Sequence, residues 1–66
     1  MTRLEVKGMT CMHCVAAVKK ALEAVPGVAR VEVSLEAGEA LVEGTADPEA
    51  LMAAVKNEGY EARVAG

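Results

Sequence analysis

A chain of 66 residues with a net charge of -3, 53% hydrophobic residues and two cysteines is one domain, residues 1–66, near the lower size limit for an unaided core, burying roughly 60% of its unfolded surface. That size leaves no room for a second domain, and the acidic balance argues against nucleic acid as a general partner. No stretch reaches the roughly 20 apolar residues of a membrane span, and Met1-Thr2-Arg3-Leu4-Glu5 lacks the apolar h-region of a secretory signal. The expectation is a cytoplasmic protein, not inserted in a membrane, whose thiols stay reduced.

Arg3-Leu4-Glu5-Val6-Lys7 alternates apolar and charged residues, which predicts a half-buried strand with Leu4 and Val6 inward, ended by Gly8. From Met12 the period changes. Val15, Val18, Leu22 and Val25 recur at helical spacing, with His13, Ala16, Ala17, Lys20 and Ala24 on the opposite side, until Pro26-Gly27 stops the helix. Alternation returns in Arg30-Val31-Glu32-Val33-Ser34-Leu35, with Val31, Val33 and Leu35 inward, and Glu36-Ala37-Gly38-Glu39 reads as a hairpin connection. The next strand runs from about Glu39 to Gly44 with Ala40 and Val42 inward and Leu41 on the open face, a phase that a one-residue slip would invert. Asp47 as N-cap and Pro48 at the first helical position open a second helix with Leu51, Ala54 and Val55 as its buried stripe and Gly59 as its stop. Glu61-Ala62-Arg63-Val64 closes the chain as a strand with Ala62 and Val64 inward.

The order strand, helix, strand, strand, helix, strand, with a weak echo between the segments after the two helices, describes a split βαβ pair. The expected fold is an α+β, ferredoxin-like βαββαβ sandwich. Two helices cover one face of a four-stranded antiparallel sheet, and Arg3, Glu5, Lys7, Arg30, Glu32, Glu43 and Arg63 stand in water on the other.

The chemistry is concentrated in Gly8-Met9-Thr10-Cys11-Met12-His13-Cys14. Residues three apart on a first helical turn face the same way, so the two sulfurs can converge on one ion. The free backbone N–H groups and positive dipole end at a helix N-terminus favour the thiolate, which is the metal-binding form, and Cys14 is placed to benefit first. Soft thiolates select Cu(I), Zn(II) and similar ions, but a closed structural zinc site usually has four protein ligands. Two sulfurs and one nearby imidazole suit Cu(I) better, and leave room for a third sulfur from a partner. A lone C-x-x-C is shared with thioredoxin-like enzymes and with half of many zinc sites; this chain has neither the longer α/β domain of the first nor the second ligand pair of the second.

The loop resembles the M-x-C-x-x-C motif of the heavy-metal-associated domain, the family of soluble copper chaperones and of the small amino-terminal domains of metal-pumping P-type ATPases. Met9, Cys11 and Cys14 match its defining positions. The resemblance extends over essentially the whole chain and implies the same fold, a Cys11/Cys14 metal site and no catalytic residues. By the same resemblance Met9 is a buried support of the loop, although a thioether ligand is the competing reading of a methionine there. Met12, at the tip, is expected to be exposed, shielding the metal or touching a partner.

His13 falls on the outward face, which favours an influence around the metal, or a proton-linked role, over direct ligation; resembling bacterial copper chaperones often carry histidine here. Thr10 stands where zinc-pumping relatives commonly have an acidic residue, which favours copper, although mercury-binding relatives share Gly-Met-Thr-Cys. Tyr60 has two readings: by resemblance its hydroxyl hydrogen-bonds towards a cysteine sulfur, and as the sole aromatic it fills the core. Lys19 and Lys20 read either as a solvated helix face or as a docking patch, with Ala16 and Ala17 as a flat surface for close approach.

The resulting expectation is a copper metallochaperone. Cu(I) is its cargo, Zn(II) or another soft ion is accepted in vitro, and the recipient is the metal-binding domain of a copper-transporting P-type ATPase or a copper-responsive repressor. It works as a monomer or as a metal-bridged pair. The alternatives are sequestration of copper, zinc or mercury without a specific acceptor, and a thiol oxidoreductase.

Overall fold

A computed structural model describes residues 1–65, as β1 (Thr2–Lys7), α1 (Met12–Glu23), β2 (Val28–Ser34), β3 (Glu39–Gly44), α2 (Pro48–Asn57) and β4 (Glu61–Val64). The strands form one antiparallel sheet in the order β2-β3-β1-β4, with β1 paired to β3 and β4. This is the ferredoxin-like arrangement that the alternating periods predict. In the register, Leu4 lies opposite Ala40 and Val64, and Val31 opposite Val42.

The inward residues of the strands meet the apolar stripes of the helices in a core of aliphatic side chains. Leu4, Val18, Leu22, Ala40, Leu51 and Val55 have no solvent exposure, and no described buried residue is polar or charged. Each fully buried Leu or Val stabilises the fold by roughly 1.5–3 kcal/mol relative to leaving it exposed. Leu41 is on the open face, as its phase predicts, beside the ion pairs Arg3–Glu39, Arg30–Glu32 and Arg63–Glu5. These pairs are largely in solvent, where such contacts contribute about 0–1 kcal/mol each.

Three inward assignments are corrected. Val64 faces the same way as Leu4 but sits at the end of an edge strand and remains 42% exposed; only Ala62 of β4 packs against the core. Leu35 falls just beyond β2, half-buried in the turn to β3, and Ala54 is half-buried beside the fully buried Val55. β2 also begins two residues earlier than its alternation suggests. A bulge between Val28 and Arg30 leaves Ala29 unpaired, so that Val28 and Val31 both turn to the core although three residues apart. Gly44 closes the bulge from the opposite strand at a φ of +134°, and a Cβ there would overlap the Gly27 carbonyl oxygen.

The helices start differently. Asp47 caps α2, its Oδ1 accepting the Glu49 N–H at 2.9 Å, and Glu49 adds an acidic side chain to the first turn. α1 has Cys11 at the capping position, no side-chain cap and no acidic residue in its first turn. Its positive end is therefore not offset by a carboxylate of its own.

Candidate metal centre

β1 ends at Lys7, and residues 8–11 carry the chain from the sheet onto the first turn of α1. Cys11 is extended, with φ of -158° and ψ of 175°, and its carbonyl oxygen accepts the N–H of Cys14 at 3.0 Å and of Val15 at 3.3 Å. That single turn sets the sulfurs side by side, 3.8 Å apart, both as free cysteines. Cys11 is exposed and Cys14 half-buried.

The Cys14 thiol is lowered from an ordinary 9.0 to about 6, first by the backbone N–H of Thr10, then by the hydroxyl of Tyr60, with partial burial opposing and the Cys11 N–H and Thr10 hydroxyl assisting. The Thr10 Oγ1 lies 3.9 Å from the Cys14 sulfur. Tyr60 acts on that sulfur from the loop after α2. Its own ionisation is raised, chiefly by that neighbouring sulfur. Amides of the loop preceding the helix, Thr10 first, therefore act on Cys14 in addition to the helix terminus.

The other residues singled out in the sequence divide into two groups. Met9 is half-buried and packs against the core, as does Tyr60. Met12 is 69% exposed at the tip, and His13, Ala16, Lys19 and Lys20 are exposed along α1, with Ala17 half-buried. Thr10 and Tyr60 thus converge on Cys14, whereas His13 and the lysine pair look outward. Gly8 is the position that sequence reasoning used only as a strand terminator. At a φ of +101°, a Cβ on it would stand 3.2 Å from Tyr60 Cδ1, so its missing side chain is what admits the ring. Among the described residues no group of three or more His, Cys, Asp or Glu side chains converges as a metal cage.

Residues 3–61 match the family model of the heavy-metal-associated domain, and the chain belongs to that family. Over 91% of its length it is 54% identical to copper-transporting ATPase 2 of Rhizobium meliloti (strain 1021), and over 98% it is 53% identical to a mercuric reductase of Serratia marcescens. The chain spans only 8% and 15% of those two proteins. Solved structures match along nearly their whole length. The apo copper chaperone of Enterococcus hirae has a TM-score of 0.92 at 32% identity, with 98% of this chain and 100% of that one covered. The N-terminal domain of PacS from Synechocystis PCC6803 gives 0.94 at 34%, with 98% and 96% covered. The chain is thus a metal-binding domain related to copper chaperones and to the metal-binding domains of copper ATPases.

Proposed function

We propose that Cys11 and Cys14 bind one Cu(I) as a dithiolate, and that residues 1–66 form a single unit that passes it by thiolate exchange to an acceptor. A cysteine of the acceptor attacks the bound ion, a three-coordinate bridge forms, and the two original sulfurs leave in turn. The acceptor is a related domain of a copper-transporting P-type ATPase or a copper-responsive repressor, and the site performs no catalysis of its own. Thr10, Tyr60 and Met9 support the loop, Met12 and His13 border the ion, and Ala16, Ala17, Lys19 and Lys20 offer the docking side.

The observation that carries this reading is the pair of sulfurs 3.8 Å apart at a solvent-exposed helix start. With metal–sulfur bonds of about 2.3 Å, that separation subtends roughly 110° at one ion, a bent arrangement with an open side for an incoming sulfur. The low Cys14 value supplies a thiolate at neutral pH.

A second reading is sequestration of a soft metal without an acceptor, and the near-equal identity to a mercuric reductase keeps Hg(II) among the candidate ions. An anaerobic titration with Cu(I), Hg(II) and Zn(II) against chelators of known strength, followed by transfer to an apo acceptor, tests both. Delivery requires one Cu(I) per chain and transfer faster than spontaneous release. Tight retention in the presence of acceptor would establish sequestration instead.

A further inference from the structure

We infer that the outer edge of β2 is a self-association surface, through which two copies of this chain join their sheets in antiparallel register about Val31. β2 is the seven-residue edge strand of the sheet and is paired to β3 alone. Its outer side offers unpaired backbone groups of the kind that accept another strand. An open groove lies at this edge, bordered by Lys19, by Val31 to Ser34 of β2, and by Glu39 and Leu41 of β3.

Charge on an edge strand normally prevents such pairing. Here it selects one register. About a two-fold axis through Val31, Arg30 of each copy stands opposite Glu32 of the other, and the regular pairing ends there because the bulge at Ala29 breaks the alternation. Moving the axis to Arg30 sets two arginines face to face, and moving it to Glu32 sets two carboxylates face to face; like charges directly opposite are destabilising. Arg30 and Glu32 pair with each other along the strand, 3.0 Å apart and 67% and 62% exposed, and stand opposite Glu43 and Leu41 of β3, so both can exchange an exposed intrachain partner for one across the axis. The other edge differs. Arg63 of β4 is already engaged across the sheet by Glu5 at 3.3 Å, Glu61 stands opposite Lys7, and β4 has only four residues. Pairing about Val31 keeps the helices of both copies on one face of an eight-stranded sheet. It uses no cysteine and does not rest on the metal reading.

Sedimentation equilibrium of the reduced protein with a chelator present tests the proposal. The weight-average mass should rise with concentration from 6.8 kDa towards twice that value, and Cys11→Ser with Cys14→Ser should associate equally. Arg30→Glu alone, or Glu32→Arg alone, should weaken association by at least about tenfold. Mixing the two single variants should restore it, because every facing pair in that heterodimer is again opposite in sign, and the double swap in one chain should restore it as well. A wild-type mass that stays at the monomer value, single reversals without effect, failure of the swap to rescue, or loss of association on Arg63→Glu instead would each overturn the assignment.

Discussion

Gly8 and Tyr60 meet at the end of β1, where the phenol ring lies against a backbone that carries no Cβ to obstruct it. The contact joins the loop before α1 to the loop after α2 and brings the hydroxyl towards the Cys14 sulfur. Gly8→Ala should therefore cost roughly 1–3 kcal/mol, from the +101° backbone and the 3.2 Å approach together. It should also raise the Cys14 pKa by displacing the ring. Thermal melts and thiol titration of the same variant measure the two effects separately.

Tyr60→Phe isolates the hydroxyl. The ring still fills its place, so the melt should change little, while the Cys14 ionisation should move up from about 6. The ultraviolet absorbance of the thiolate, followed against pH in a Cys11→Ser background to remove the second thiol, reports that midpoint.

The same value fixes a pH dependence of stability. Cys14 ionises at about 6 in the folded chain and at the ordinary 9.0 when unfolded, so between these values the unfolded state holds more protons. The stabilisation is full above the unfolded value and lost as pH falls through the folded one. Denaturant midpoints of the reduced apo protein should rise across this window, and the rise should shrink in Cys14→Ser. Equal slopes in both proteins would contradict the assignment of the low value to Cys14.

Cys11→Ser with Cys14→Ser should abolish tight one-to-one Cu(I) binding and leave the circular-dichroism spectrum and cooperative melt intact, since neither thiol belongs to the aliphatic core. In the wild type, Cu(I) should raise the melting temperature only by the mass-action term. By contrast, Leu51→Ala removes a side chain with no exposure and should destabilise by about 2–5 kcal/mol.

Lys19→Glu with Lys20→Glu should slow delivery to an acidic acceptor at low ionic strength, with the gap to wild type closing as salt rises, and should leave copper affinity unchanged. Stopped-flow transfer measures both arms. Equal low-salt rates would assign the pair to a solvated helix face.

The sequence makes the periods legible, and with them the order of elements along the chain and ten buried aliphatics. It does so wherever one residue class repeats without interruption. Ala29 breaks that repeat, which is why β2 starts before its alternation does. Val64 keeps the right phase but has too little covering it, because exposure at the end of an edge strand depends on neighbours distant in the chain. At the site, the nearness of the two sulfurs follows from their three-residue spacing, although Cys11 caps α1 in extended conformation instead of joining its first turn. The partnership of Gly8 with Tyr60 joins positions far apart in the chain, and the contribution of the Thr10 amide to the Cys14 ionisation depends on loop geometry that no periodicity encodes.

The uncapped start of α1 has a further consequence. Asp47 gives α2 a side-chain cap, whereas the start of α1 has none and leaves its free N–H groups and positive field to the sulfurs. Introducing Asp or Glu into the first turn of α1 would steady the helix but compete with the sulfurs for the same positive field. Attempts to harden the domain by helix optimisation would thus erode its grip on soft ions, while the start of α2 is free to be optimised. Stability and cargo affinity can be tuned at opposite helix starts.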